Sequence, residues 1–259
     1  MNRRGIRAII DFLGEDVTSA DKATAAAAEY MQLLRRIQDQ KVESAISVKV
    51  SQMGLLVSLD LCLENLVRVL QTASETGSFV WLDMEGSALT QKTIDVFNAL
   101  RGRYPNLGLC LQAYLVRTGG DLDKLMHKPL HVRLCKGAYK EPPDIAFSTK
   151  RAVDGNFRML VQKALDRAGQ DVMAAFATHD RFLIDYILAL VRERRADKKA
   201  FEFQMLYGIQ NHRLAALAQE GYQTSVYIPY GTHWLPYFLR RLRERRENVF
   251  FLLKNLLQK

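Results

Sequence analysis

The sequence predicts an α/β fold: a closed parallel (β/α)8 barrel of the TIM type, in one domain covering residues 1–259. Three observations predict it. Short β-rich runs alternate with helix-periodic runs along the whole chain. Eight such pairs recur at a spacing of about 25–35 residues, as a barrel of strand–helix units requires. No linker, low-complexity stretch or composition shift divides the chain. A doubly wound eight-stranded sheet would carry the same alternation, so pattern alone leaves that alternative open.

Taken in order, residues 5–13 are β-rich and end at Gly14. Thr18 stands as an N-cap, with Asp21 at the capping-box position, for a helix running through the alanines 25–28 to Ile37. Residues 44–53 read as the second strand, with Ile46, Val48 and Val50 alternating, and a helix follows near 62–73. Strand three is 79–85 and its helix 87–100; strand four is 107–114, followed by a short helix after Gly119 and Gly120. Strand five is 131–137, and the longer connection 138–150 leads to a helix reaching about residue 168. Strand six is 173–179. Its helix places Phe182, Leu183, Tyr186, Ile187, Leu190 and Val191 on one stripe. Strand seven is 201–206 with a helix over 212–219, and strand eight is 224–230. An amphipathic helix is expected over 234–246, before an apolar tail at 250–257.

Composition narrows the class. A 48% hydrophobic and 25% charged chain is ordinary for a globular protein, and no apolar run nears the ~20 residues of a membrane span. Arg3 and Arg4 before Ala8-Ile9-Ile10 mimic a signal peptide, but Asp11 interrupts the run too early, so this segment reads as the first strand. The net charge of +9 gathers at 192–195, 198–199 and 240–246. Acidic residues interleave these clusters, which favours solvated helix faces and leaves no nucleic-acid partner expected. Three cysteines, Cys62, Cys110 and Cys135, lack metal spacing, suit a reducing compartment and read as small core hydrophobes. His127 and His131 are separated by Pro129, and His131 falls at the start of a strand, so no metal is expected. GxGxxG, GxxxxGK[ST] and GxSxG are all missing.

Barrel chemistry sits at the C-terminal ends of the strands. Those ends carry Asp11, Lys49, Asp83-Met84-Glu85, Gln112-Ala113-Tyr114, Arg133-Leu134-Cys135-Lys136, Thr178-His179-Asp180, Gln204, Tyr227 and Tyr230. A barrel that only had to fold would not need this ring, because burying ionisable groups costs stability. On the last helix Tyr237, Arg240, Arg241 and Glu244 share one arc. Paired arginines with a carboxylate one turn on suit a bidentate anion clamp, although a surface salt-bridge ladder has the same pattern. Lysines at strand ends, Lys49 and Lys136, also keep Schiff-base aldolase chemistry open, and the basic clusters keep open a non-enzymatic binding module.

The segment Arg133-Leu134-Cys135-Lys136-Gly137-Ala138-Tyr139 resembles the RLxKGAY motif of the proline dehydrogenase family. The resemblance extends in the family's order through residues 82–85, 111–114, 177–179, 201–208, 227–231 and 237–244, nearly the whole chain. It implies a distorted barrel that holds FAD at its C-terminal face and oxidises L-proline to Δ1-pyrroline-5-carboxylate. It also implies that electrons pass to a quinone. The unpaired cysteines suit the cytoplasm, the basic clusters leave open peripheral contact at the inner face of a membrane, and the resemblance implies that the last helix packs at the C-terminal face over the active site. Arg240, Arg241 and Lys49 would pair with the proline carboxylate, Glu244 would hold the arginines, and Tyr227, Leu134 and Leu206 would shape the pocket. Arg133 would lie near flavin N5, Gln112 against the ring system, and Asp83 and Met84 beside both substrate and flavin. Lys136, Gly137, Ala138, Thr178, His179 and Gln204 would contact the cofactor. A binding glycine such as Gly137 would let backbone approach the flavin closely.

Overall fold

The computed structural model describes residues 1–231; the predicted last helix, with Arg240, Arg241 and Glu244, lies outside them. After a short 3₁₀ turn the elements run β1 (Arg7–Phe12), α1 (Ala20–Asp39), β2 (Ser44–Lys49), α2 (Leu59–Glu75), β3 (Val80–Asp83) and α3 (Ser87–Leu100). They continue β4 (Leu107–Gln112), α4 (Thr118–Leu125), β5 (Leu130–Cys135), α5 (Lys150–Asp166), β6 (Val172–Ala177) and α6 (Arg181–Arg194). β7 (Phe201–Leu206), α7 (Asn211–Gln219) and β8 (Gln223–Tyr230) complete the described chain. Every strand pairs in parallel with its sequence neighbours, and β8 closes on β1 with Ala8 opposite Val226. This closure settles the choice between barrel and open sheet.

Side chains alternate across each strand, so one parity faces the helices and the other the barrel interior. The helix-facing set builds the main core, with Ile46, Val48, Leu82, Leu109, Leu111, Val132, Phe176 and Phe203 packed against the helices. α1 buries Ala23, Ala26, Ala27, Tyr30, Leu34 and Ile37, a stripe at helical spacing whose small members let the helix approach the strands. The interior set begins at the floor with Ile9, Trp81 and Ala175. Above that floor the interior turns polar.

Four local expectations are corrected. Thr18 is not the N-cap of α1: Ser19 occupies that place, extended and without a side-chain capping bond. The second strand stops at Lys49, because the backbone N–H groups of Gln52 and Met53 both bond back to the Lys49 carbonyl and turn the chain. Strands three to six likewise end about two residues earlier than the apolar runs suggest, where the chain leaves the ladder for the mouth of the barrel. Phe182 is 76% exposed rather than buried: it lies in the first turn of α6 at the barrel mouth, and the covered stripe is Leu183, Ile184, Ile187, Leu188, Leu190 and Val191.

Candidate active site

Asp83, the last residue of β3, is the hub of the polar interior. Its Oδ1 accepts from Ser47 Oγ at 2.7 Å and from Arg133 Nη1 at 2.7 Å. Its Oδ2 accepts from the Tyr227 hydroxyl at 2.7 Å and lies 3.5 Å from Lys49 Nζ. Lys49 also donates to both oxygens of Asp11, at 2.9 and 3.0 Å. Register explains the convergence: Lys49 stands opposite Asp83, and Ser47 opposite both Asp11 and Trp81. Two cations and two carboxylates thus share a space from which water is almost absent, since Asp11 is fully buried and Lys49 and Arg133 are 6% and 3% exposed.

Electrostatics fix the protonation of this cluster. Burial pushes the Asp83 carboxyl up, but Lys49 and Arg133 outweigh it and hold the group below its ordinary value. Burial works against the Lys49 ammonium, and Asp11 and Asp83 reverse this and hold it cationic far above its usual range. Asp83 and Lys49 are thus held ionised, whereas burial outweighs Lys49 at Asp11 and pushes that carboxyl above its ordinary value.

Arg133 is gripped on every side but one. Its Nε donates to Gln204 Oε1 at 2.6 Å, and its Nη1 bonds Ser47 Oγ at 3.0 Å as well as Asp83. The guanidinium stacks 4.6 Å from the Trp81 ring and 5.5 Å from the Tyr227 ring. From below, Gln204 Nε2 donates to Glu202 Oε1 at 3.0 Å, and Arg7 reaches Glu202 Oε2 at 2.5 Å. Yet Arg133 Nη2 is buried with no hydrogen-bond partner among the described residues, and so is Gln112 Oε1. Gln112 is itself oriented by its amide, whose Nε2 donates to the carbonyls of Met84 at 2.7 Å and Glu85 at 2.9 Å. A buried orphan of this kind costs about 1–3 kcal/mol, so this donor and this acceptor on neighbouring strands are groups that a polar ligand would relieve.

The remaining predicted residues fall into groups. Leu206 and Tyr227 have the interior parity and stand opposite one another across β7 and β8. Leu134 does not join them. It is fully buried, has the parity opposite to Arg133 and packs in the strand–helix core. The Met84 side chain lies in the same core cluster, and only its carbonyl reaches the site through Gln112. Lys136 forms ion pairs of 2.6 Å with both Asp154 and Asp180. Thr178 Oγ1 accepts from the Asp180 N–H at 3.1 Å, and His179 Nε2 accepts from the Leu206 N–H at 2.8 Å, tying the ends of β6 and β7 together. Ala138 sits part-exposed in the segment after β5. Gly137 has φ +102°, and a Cβ there would lie 2.1 Å from Tyr114 Cδ1. Its glycine is therefore required by the Tyr114 ring and the backbone conformation, a reason found inside the protein rather than in a ligand.

Sequence reasoning missed Ser47, Trp81 and Glu202. Ser47 and Trp81 share the parity of Lys49 and Asp83 on their own strands, and Glu202 that of Gln204. Following the interior parity down each strand from its polar end would have found all three.

A closed parallel barrel whose C-terminal mouth holds such a network is, by architecture and chemistry, a (β/α)8-barrel enzyme. Comparison with known proteins carries this further. The family profile described as proline dehydrogenase matches residues 1–254. Proline dehydrogenase 2 of Bacillus subtilis is 40% identical over 259 residues, all of this chain and 84% of that protein. Proline dehydrogenase of Deinococcus radiodurans is 37% identical over 263 residues, again all of this chain and 84% of its own length. The chain belongs to the proline dehydrogenase family, and its reaction is the oxidation of proline. The solved structure of proline utilization A from Bdellovibrio bacteriovorus, inactivated by N-propargylglycine, overlays with a TM-score of 0.85 at 24% identity. That match covers 93% of this chain and 30% of the larger one, and it supports the barrel fold alone. Among the described residues no helix is long and apolar enough to cross a membrane.

Proposed function

We propose that the barrel oxidises L-proline to Δ1-pyrroline-5-carboxylate with FAD and that the electrons pass on to a quinone. The buried, unpartnered Arg133 Nη2 and Gln112 Oε1, from the neighbouring strands β5 and β4, carry this reading. A planar heteroaromatic system with donor and acceptor atoms on its edge satisfies both, and the flavin supplies the two-electron acceptor that the side chains here lack. Arg133, Gln112, Lys136, Gly137, Ala138, Thr178, His179 and Gln204 are the residues proposed to hold it, with the carbonyl of Met84 orienting Gln112.

The protein's own groups then have separable tasks. Arg133 is held in place by Asp83, Ser47 and Gln204, so its free Nη2 is aimed before any ligand binds, and a fixed cation stabilises negative charge that develops on reduction. Lys49 stays charged and is proposed to meet the substrate carboxylate with Arg240 and Arg241, the pair that Glu244 would steady on the last helix. Tyr227 and Leu206 offer an apolar wall for the ring, while the Tyr227 hydroxyl remains anchored on Asp83. Oxidation of the ring C–N bond removes a hydride equivalent and a proton, so positioning of the ring carbon dominates over acid–base strength. Contact with a membrane surface belongs to the same proposal, because a quinone partitions into lipid.

Product formation tests the reading. Protein supplied with FAD, L-proline and a soluble quinone is expected to form a cyclic imine that condenses with o-aminobenzaldehyde. Proline consumption without that adduct would overturn the product assignment, and an equal rate from protein stripped of bound flavin would overturn the cofactor. Arg240→Ala and Arg241→Ala are each expected to raise the KM for proline at least tenfold while leaving FAD affinity within about twofold, the loss of one charged hydrogen-bonding pair. Unchanged KM in both would remove the clamp from the account.

A further inference from the structure

Cys110 on β4 and Cys135 at the end of β5 bring their sulfur atoms to 3.6 Å. Both lie on the interior parity. In the register of these strands Cys110 stands opposite Arg133, and Cys135 opposite Gln112. The two thiols therefore meet on the diagonal between the two strand positions whose side chains carry unpartnered polar atoms. They are not equivalent: Cys110 is 5% exposed, whereas Cys135 is part-exposed. The third cysteine, Cys62, is fully buried on the helix α2, whereas the other two are on strands.

We propose that Cys110 and Cys135 form a thiol-oxidation site, a dithiol that a hydroperoxide closes into an intrachain disulfide. Cys135 is the accessible nucleophile and Cys110 the resolving thiol. The Cys135 thiolate attacks one oxygen of hydrogen peroxide; the O–O bond breaks, hydroxide leaves and takes up the thiol proton as water, and Cys135 becomes a sulfenic acid. The Cys110 sulfur then attacks the Cys135 sulfur, the S–O bond breaks, and a second water departs with the Cys110 proton. Two thiols lose two electrons and two protons in all, and one peroxide is reduced to two waters. A disulfide bond is about 2.05 Å long, so the sulfurs must close by about 1.5 Å, and because the two positions lie on a diagonal of the ladder, closure moves the backbone at the ends of β4 and β5 as well as the side chains.

The surroundings favour this division of labour. The hydrogen bond from Cys110 holds the Cys135 thiol below its ordinary value against the opposing effect of burial, and Arg133 adds to it. The same hydrogen bond, with burial, pushes Cys110 up. Burial pushes Cys62 up to about 12, which keeps it a thiol and makes it an internal control. Because the new bond would cross between the Arg133 and Gln112 positions, closure is expected to disturb the site and lower activity reversibly.

The test is a peroxide titration of the full-length protein, followed by alkylation under denaturing conditions and peptide mass spectrometry. Cys110 and Cys135 are expected to vanish together into one cross-linked peptide lighter by two hydrogens, with Cys62 still alkylated, and dithiothreitol is expected to restore both. In Cys110→Ser the cross-link cannot form, and Cys135 is expected to be trapped by dimedone as sulfenic acid. Full alkylation of both thiols after excess peroxide would overturn the proposal. So would oxidation of Cys135 beyond sulfenic acid without a cross-link in the unaltered chain, or a cross-link to Cys62 or to a second copy. The mass readout does not depend on flavin or proline, so failure of the functional reading would leave it intact.

Discussion

Four donors converge on one carboxylate at Asp83, and two of them, Arg133 and Lys49, are buried cations. Removing the charge of Asp83 takes from Arg133 its carboxylate partner among the described residues and leaves Lys49 paired with Asp11 alone, in a space with little water. Asp83→Asn is expected to cost about 3–5 kcal/mol of folding stability, the loss found when one partner of a buried ion pair is removed. Tyr227→Phe removes the hydroxyl that bonds Asp83 but leaves the cations and carboxylates in place, and it is expected to cost about 1–2 kcal/mol. Denaturant unfolding of the two variants measures the order, and an Asp83→Asn chain as stable as Tyr227→Phe would refute the hub. At this scale much was legible. Lys49, Asp83, Arg133 and Gln204 stand out because charged or amide side chains are rare at strand ends of an apolar barrel. Ser47 and Trp81 do not stand out, since a small hydroxyl and an aromatic ring are ordinary in a strand and acquire meaning only when Arg133 lands on them.

Among the elements, the segment leaving β5 is held by specific contacts. Gly137 turns the chain at φ +102° with the Tyr114 ring where a side chain would stand. From the next stretch Glu141 reaches back, accepting from the Ser87 N–H at 2.7 Å and from Ser87 Oγ at 2.7 Å at the start of α3. Gly137→Ala must meet both a steric clash and a strained φ, and it is expected to lose about 2–4 kcal/mol. Adding Tyr114→Ala opens the space but not the backbone, so the double variant is expected to regain stability relative to the sum of the two single changes. Thermal unfolding of all three chains gives the coupling, and strict additivity would contradict the contact. The order and kind of elements were readable from hydrophobic periodicity, as the match of α3 and β7 to their predicted limits illustrates. Their ends were less so. The apolar run at 44–53 carried the second strand too far, because a backbone turn onto the Lys49 carbonyl leaves no trace in side-chain pattern. Phe182 joined a stripe by arithmetic, although its place in the first turn of α6 puts it at the open mouth.

For the whole molecule, the ion pairs that steady the barrel mouth make stability depend on acid. At Asp180 burial raises the carboxyl, but the hydrogen bonds and charges of Lys136 and Lys150 prevail and bring it well below its ordinary value of 3.8. A group lowered in the folded state adds stability that is complete above its unfolded value and is lost as pH falls through the folded one. Asp180→Asn keeps an acceptor for the N-cap of α6 while removing the charge. The gap in Tm between the unaltered chain and this variant is therefore expected to be constant from pH 7 to about 5 and to shrink as the pH drops below about 4. A gap that widens in acid would contradict the pairing. Barrel closure, by contrast, was only one of two topologies compatible with alternation, and the pairing of β8 with β1 decides it through contacts more than 200 positions apart that no local pattern encodes.

The central claim is that the buried donor on β5 and the buried acceptor on β4 receive a flavin that proline reduces. The visible absorption spectrum of the purified protein, taken before and after L-proline is added without oxygen, tests it most directly. A flavin band that bleaches on addition of proline is the predicted result. A chain that shows no flavin band after incubation with FAD, or a bound band that proline leaves unchanged, would contradict it.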